Sequence, residues 1–507
     1  MPPPAPTVES DSRIGLRHWL ILALVQVTTL TFGMTITATN VVLPQMKGAL
    51  SATQDQIAWV VTFYLVAAAV GTPLTGWMAG WLGWRRLMVW TLTGFTVSSA
   101  LCGLAGSLET LVPARVAQGF FGAPLMPLGQ AVLLATFPRH MHPLVLMLWG
   151  VGGVMGPVLG PLVGGTVAEL ADWRWAFFVM VPLGMVSIAI ASVSLGDQER
   201  GTSGKLDWVG FGALAIAVSA AQLMLDRGHR LDWFDSTEIV VEAVVAALGL
   251  YVFVVHTLTA RKPFLSPGMF TDRNFTLGIL MAFAMGTLSY TPIVLFPPLL
   301  QDLRNYPDAI VGYLMSARGI GNFLSFLVVV QFTRYNAKLA LGTGILCQVL
   351  AGWAMARLDI NMSSFDVFWT NLLQGFGFGL AYTPMTALAF STLAPRYITE
   401  GSAVFNLMRN FGSSLFISIS VLVLVRSTAA NYAGLSELVS PFNEALRDPA
   451  VAGSWTTETA SGLAALSAEL RRQAQMVGYL NAFWLFTVTA LLSLPLVCLF
   501  SRPTRAR

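Results

Sequence analysis

Apolar residues in this chain come in runs of about twenty, longer than the stripes of a water-facing helix and rarely interrupted by charge. A helix needs roughly 20 apolar residues to cross the hydrocarbon of a bilayer. On that scale the chain offers fourteen candidate spans: 18–43, 56–79, 87–105, 110–136, 143–167, 174–195, 207–225, 238–257, 275–299, 308–331, 338–357, 366–392, 401–425 and 480–500. Polar residues gather in the connections, most of which are too short to hold a folded domain. The exception is 426–479, where apolar residues recur at helical spacing from Ala460 onward. An amphipathic helix is expected there, packed on the protein's own rim or offered to a partner.

Composition places the chain in the same class. It is 55% hydrophobic and 11% charged over 507 residues, with a mean hydropathy of +0.67, as expected of an all-α integral membrane protein embedded in a lipid bilayer. Cytoplasmic loops of such proteins are enriched in Lys and Arg. Placing both termini on the cytoplasmic side puts most of the 29 basic residues on that side and most of the 25 acids on the other. The pI near 9.0 is therefore topological, and no nucleic-acid partner is expected, because that would need a clustered basic face. The Pro-rich start is expected to be a disordered cytoplasmic segment, 1–17. The run from His18 is too long for a signal-peptide core and reads as a retained span. Cys102, Cys347 and Cys498 lie far apart in apolar runs, and His140-x-His142 lies in a short loop, so neither a disulfide framework nor a metal site is expected.

Residues 145–165 carry glycine at 152, 153, 156, 160 and 164 and proline at 157 and 161. Glycine at every fourth position leaves a side-chain-free stripe along one helix face, which lets a neighbour approach almost to backbone contact. The prolines free two carbonyls, tolerable in lipid only beside a packed neighbour or a wet cavity.

An internal repeat sets the expected architecture. The fourth span carries Gln118-Gly119-Phe120-Phe121-Gly122 and then Pro127, and the twelfth carries Gln374-Gly375-Phe376-Gly377-Phe378-Gly379 and then Pro384. Matching these two spans makes the ninth span the start of a second half and leaves the seventh and eighth outside the repeat. The expected domains are a six-helix bundle over 18–195, a two-helix insert over 207–257, a second six-helix bundle over 275–500 with the outer loop 426–479, and a cytoplasmic tail, 501–507.

Charges inside spans are costly in hydrocarbon and usually face a cavity or a partner. Arg115, Arg318 and Arg409 are such charges; backbone carbonyls at helix kinks are the alternative partners for each. Glu242 lies near the start of the eighth span, where it could pair with an arginine, carry a proton or reach the interface.

These motifs resemble the major facilitator superfamily over essentially the whole chain, and within it the fourteen-span drug:proton antiporters of the EmrB/QacA type. The similarity rests on Gly152 to Gly165 with Gly156-Pro157, on Arg115-x-x-Gln118-Gly119, and on a gating-loop motif from Gly76 through Gly83 to Arg85-Arg86. Thr37 to Pro44, Trp173-Arg174-Trp175 and Asp226-Arg227-Gly228 add to it. The resemblance implies alternating access in the inner membrane, with export of hydrophobic or cationic compounds driven by the proton gradient and no cofactor. It also implies a periplasmic membrane-fusion adaptor and an outer-membrane channel as possible partners. A narrow-specificity carrier of a metabolite is the alternative, and a receptor or scaffold a remote one. Arg115, Glu242 and Asp226 become candidates for proton coupling. Thr35, Asn40, Tyr64, Gln118, Gln374, Tyr382, Asn406, Arg409 and Asn410, polar groups on apolar spans, become candidates for the substrate cavity. Three positions depart from the pattern: Gly80 replaces the acid of the gating motif, Thr35 stands where many members carry an aspartate, and Met180 replaces an asparagine.

Overall fold

The computed structural model describes residues 15–196, 206–228, 231–440, 455 and 459–501, and these are helical with no strand. Residues 1–14 of the N-terminal segment, 502–507 of the tail and the middle of the outer loop lie outside the described residues. The first group of helices comprises α1 (Leu16–Ala49), α2 (Gln54–Leu82), α3 (Trp84–Leu104), α4 (Leu108–Gly122), α5 (Leu125–Thr136), α6 (His142–Leu170), α7 (Trp175–Phe178) and α8 (Met180–Ser194). Two helices follow, α9 (Trp208–Arg227) and α10 (Thr237–Thr259), and then α11 (Arg273–Pro298), α12 (Asp308–Met355), α13 (Ser364–Phe390), α14 (Ile398–Glu437) and α15 (Ala460–Leu499). Among the described residues, twelve helical stretches are long and apolar enough to cross a membrane. One of them, α12, breaks at Asn336, whose backbone is extended (φ −158°, ψ 101°). The Asn336 Oδ1 accepts from the N–H groups of Lys338 and Leu339 at 3.1 and 3.3 Å, starting a new helix there.

The glycine stripe of α6 meets α1. A Cβ on Gly156 would lie 2.7 Å from the Leu30 carbonyl oxygen and 3.0 Å from the Gly33 Cα. One on Gly152 would lie 2.8 Å from the Gln26 Oε1, one on Gly164 2.9 Å from the Ala38 Cα, and one on Gly160 would overlap the Thr37 hydroxyl. Gly33 returns the contact, with Pro157 Cδ 2.8 Å from where its Cβ would be. Gly153 points elsewhere and would make only ordinary contacts, the nearest at 3.7 Å. Despite Pro157 and Pro161, α6 runs as one helix. On the α1 side the hydroxyls of Thr31, Thr35 and Thr39 donate to carbonyls one turn back at 2.7 to 2.9 Å, so these three are satisfied locally.

The second group repeats the device. A Cβ on Gly286 of α11 would strike the Arg409 carbonyl of α14, and one on Gly412 of α14 the Phe283 carbonyl of α11. Between the groups lies α9. The Gln222 amide donates to Ser414 Oγ of α14 at 3.0 Å, the Ser418 hydroxyl of α14 donates to the Leu225 carbonyl, and the Thr62 hydroxyl of α2 donates to Asp226.

Within 426–479 the helix expected from Ala460 is present: α15 starts there, where Thr459 accepts from the Gly462 N–H at 3.1 Å, and runs unbroken into the last apolar stretch, while α14 continues to Glu437 beyond its own apolar run. Ala, Leu, Glu, Arg and Gln dominate 464–475 and favour helix. Tyr432 and Ser467 join the two extensions at 2.9 Å.

At the other end of α9, Asp207 accepts from the N–H groups of Gly210 and Phe264 at 3.0 Å each and from His256 at 2.9 Å. Burial pushes its carboxyl up, but the Gly210 bond, His256 and the Phe264 bond outweigh it and hold the carboxyl below its ordinary value.

Two predictions follow from this packing. Gly156→Leu should prevent α1 and α6 from closing, at a cost of about 3 kcal/mol or more, and should abolish the monodisperse peak on size exclusion; Gly153→Ala should keep it. Because the Asp207 pKa is lowered on folding, its contribution is present above the ordinary carboxyl range, near about 4, and is lost as pH falls through the lowered value. Protection from hydrogen exchange in 207–228 and 231–264, taken relative to the unfolded rate at each pH, should therefore fall on acidification in the wild type, and in Asp207→Asn should be low at every pH.

Candidate functional site

Arg115 is fully buried on α4, 0% exposed. Its Nε–H donates to the Val60 carbonyl at 3.0 Å, and Nη1 donates to the Gln118 Oε1 one turn along the same helix. The guanidinium lies over the Tyr64 ring at 4.2 Å and near Phe177 at 5.6 Å. Gln118 passes the interaction on, its amide donating to Ser99 Oγ of α3 at 2.7 Å. One carbonyl, one amide oxygen and two ring faces replace part of the guanidinium's hydration, while Arg115 Nη2 is enclosed without a hydrogen-bond partner. No Asp or Glu among the described residues pairs with it.

Val60 and Tyr64 are one turn apart, so they share the face of α2 turned to Arg115. Thr62, two residues from each, points to nearly the opposite face and holds Asp226 there. One turn of α2 therefore separates Arg115 from Asp226. Glu242 sits apart, 3.8 Å from Arg227, which also pairs with Glu238 at the end of the α9–α10 pair.

A second cluster forms where the two groups of helices meet. Trp149 of α6 stacks on Tyr382 of α13 with centroids 6.0 Å apart, and Tyr382 stacks on Phe378 at 5.5 Å with 18° between planes. Arg409 of α14 donates to the Tyr382 hydroxyl at 3.1 Å and to Asn410 Oδ1 at 3.4 Å, and reaches Met126 Sδ of α5 at 3.9 Å. The Asn406 amide donates to the Gln130 Oε1 of α5 at 2.9 Å, crossing between groups.

Of the candidate cavity residues, Tyr382, Asn406, Arg409 and Asn410 come together here. Tyr64 and Gln118 belong to the Arg115 network. Thr35 is buried with its hydroxyl on the Thr31 carbonyl, and Asn40 is exposed further along α1. Gln374 is buried between α11 and α12, its side-chain amide donating to the Leu288 carbonyl at 3.1 Å and its backbone carbonyl accepting from the Gln348 amide at 2.8 Å. Trp149 and Gln130 were not singled out from sequence. Gln130 is a polar group on an apolar helix and met the same test as the others, whereas Trp149 carried no signal among 15 tryptophans.

The gating loop turns at Gly83, whose φ of 78° favours glycine. Arg85 donates to the Ser192 carbonyl of α8 at 2.8 Å, and Arg86 lines an adjoining groove of about 740 Å³ with Trp81 and Trp90. Gly76 lets α2 press on α14, since its Cβ would lie 3.0 Å from the Glu400 Cα. Although Gly80 is not acidic, an acid from the other group thus stands at this junction. Glu400 is held by the N–H and hydroxyl of Ser266, the latter at 3.1 Å.

A glycine-packed helical membrane protein with an aromatic and arginine cluster between two helix groups has the form of a two-bundle carrier. The chain matches the Major Facilitator Superfamily over residues 26–417 and belongs to that superfamily, in its EmrB type. It is 30% identical over 492 residues to the multidrug export protein EmrB of Escherichia coli (strain K12), covering 96% of each chain. It is also 30% identical over 471 residues to the fatty acid resistance protein FarB of Neisseria gonorrhoeae, covering 92% of this chain and 93% of that one. The fold is shared with the human organic anion transporter MFSD10, at TM-score 0.60 and 12% identity over 93% of this chain and 99% of that one. It is shared equally with the proton:xylose symporter XylE, at TM-score 0.60 and 12% identity over 94% and 96%.

Arg115→Lys tests the forked geometry. Lysine keeps the charge but cannot serve the Val60 carbonyl and Gln118 while covering Tyr64. Transport by the purified, reconstituted variant should fall about tenfold or more, with an unchanged size-exclusion profile.

Proposed function

We propose that this protein exports hydrophobic small molecules from the cytoplasm across the inner membrane in exchange for protons, by rocking of two six-helix bundles about the Trp149–Tyr382 cluster. The full assignment is fourteen crossings. It is supported by the break of α12 at Asn336, which divides one long helix into two spans, and by α13, which matches the candidate span 366–392. The end bearing Gly83, Arg85 and Arg86 would be cytoplasmic by the excess of basic residues in its loops. Contacts between bundles are made on that side, by Gly76 with Glu400 and by Met147 with Val329 and Leu380. That closure supports an outward-facing arrangement. The helical extensions 426–437 and 460–479 would stand on the outer side, where an adaptor and an outer-membrane channel of the kind implied by the EmrB type would be met.

The observation that carries the coupling is the turn of α2 from Val60 to Tyr64, with Arg115 on one face and Asp226 on the other. Asp226 is an acid held by a neutral hydroxyl. Its protonation would weaken the grip of α9 on α2 and free the turn that seats Arg115. In inverted vesicles with an acidic lumen, the wild type should accumulate a fluorescent hydrophobic dye. Asp226→Asn and Arg115→Ala should each cut gradient-driven accumulation about tenfold, while Asp226→Asn keeps downhill counterflow. Failure of the wild type to move any hydrophobic dye under any gradient would overturn export and favour a narrow-specificity carrier.

A further inference from the structure

The turn between α2 and α3 carries two arginines and no acid. Gly80 stands where the gating motif has its carboxylate, and Arg85 and Arg86 follow Gly83 at the start of α3. Arg85 is fixed by the Ser192 carbonyl of α8, to which its Nη2 donates at 2.8 Å, while Arg86 is exposed. Both line the groove of about 740 Å³, whose walls include Met78 and Trp81 of α2 and Val89 and Trp90 of α3. That volume falls among those of clefts that enclose small molecules, about 300–1,000 Å³. No Asp or Glu among the described residues lines it.

Both tryptophans are held by neighbouring rings. Trp81 stacks on Trp77, one turn back, with centroids 5.4 Å apart and 20° between planes. Trp90 meets Phe121 of α4 edge-on at 4.9 Å, and Phe121 can lie this close to α3 because Gly94 has no side chain: a Cβ there would overlap the ring. From the groove onward, Arg86, Trp90, Thr93, Val97, Leu101 and Leu104 are all exposed. Their spacing of three and four residues puts them on one face of α3. That face carries charge at one end only and is uncharged for the rest of the helix.

This is the outline of a phospholipid, with charge at the membrane surface, rings at the depth of the headgroup and apolar surface beneath. Tryptophan is favoured at the headgroup level, and basic pockets between membrane helices on the cytoplasmic side take anionic headgroups. With an acid at position 80 an ammonium headgroup would find a partner as well; Gly80 offers none. We propose that Arg85, Arg86, Trp81 and Trp90 form a binding site for an anionic phospholipid of the cytoplasmic leaflet, one whose phosphodiester carries no amine, in preference to a zwitterionic lipid. Every group in it belongs to the first bundle, so the lipid travels with that bundle and does not bridge the two. The assignment rests on the cytoplasmic placement of this turn and lies apart from the cluster between the bundles.

The test reads contact with tryptophan and needs neither a gradient nor a substrate, so its failure is distinct from failure of export. Phosphatidylglycerol and phosphatidylcholine brominated on their acyl chains quench tryptophan fluorescence on contact. Each is titrated, in mixed micelles of an uncharged detergent, into purified wild type and Trp90→Phe, and the difference between the two proteins isolates the signal of Trp90. Trp81→Phe isolates the other wall in the same way. Half-quenching should come at a mole fraction about tenfold lower for phosphatidylglycerol than for phosphatidylcholine. Arg86→Gln should raise the phosphatidylglycerol midpoint about fivefold, as expected for one basic residue at an anionic surface, and leave the phosphatidylcholine midpoint where it was. Arg86→Lys, which keeps the charge, should stay near the wild type. Glycerophosphoglycerol, the headgroup without its chains, should not displace the lipid at millimolar concentration. Equal midpoints for the two lipids, a phosphatidylglycerol midpoint that Arg86→Gln does not move, or displacement by glycerophosphoglycerol would overturn the assignment.

Discussion

Backbone-to-backbone contact between helices, made possible by glycine, is the constraint on which this structure depends. In lipid, helices gain little from burying apolar surface against one another, and close van der Waals approach has to hold them together. The contact of α1 with α6 supplies it in the first bundle and that of α11 with α14 in the second, while Gly119 and Gly375 supply it at α2–α4 and α12–α13. Each contact also sets depth. A glycine against a carbonyl oxygen leaves almost no freedom to slide, so the residues beside that carbonyl are fixed relative to the neighbouring helix. The positions of Tyr64 and Arg318 follow from where Gly119 and Gly375 sit.

The two bundles are alike in these contacts and unlike in what they seat there. In the first, a cation is enclosed by an amide, a carbonyl and two rings and touches α2, whose opposite face holds an acid of α9. In the second, Arg318 lies over the Phe378 ring, which stacks on Tyr382. The repeat is thus a shared frame carrying different side chains at matching places in the two bundles. The insert joins them, because α9 bonds to α2 through Asp226 and to α14 through Gln222 and Leu225.

Much of this was legible in the sequence where the signal is one-dimensional. Runs of about twenty apolar residues announce helices that cross lipid, the four-residue glycine period announces a close neighbour, and the Gln-Gly repeat announces two related halves. Which helix meets the stripe was not legible, because α1 offers no pattern of its own except Gly33 and small residues. The site was legible by residue type for Tyr382, Asn406, Arg409 and Asn410, polar groups with no business in hydrocarbon. It was not legible for Trp149, which is apolar enough to pass as lining, nor for the role of Thr35, whose hydroxyl is spent on its own helix. The helix from Ala460 was legible in its spacing, whereas the extension of α14 to Glu437 was not, since it lies beyond the apolar run; Tyr432 and Ser467 join the two.

The break at Asn336 bears on how the second bundle can move. Most connectors between crossing helices have several residues of slack, but here one extended residue, capped by its own side chain, reverses the chain. The two arms of α12 are therefore nearly a single mechanical piece, clamped on either side of α13 at Gly321 and Gly344. A displacement of Arg318 is carried to the second arm without a compliant joint to absorb it. An epitope or protease site inserted at Asn336 would therefore disturb both arms and their contact with α13.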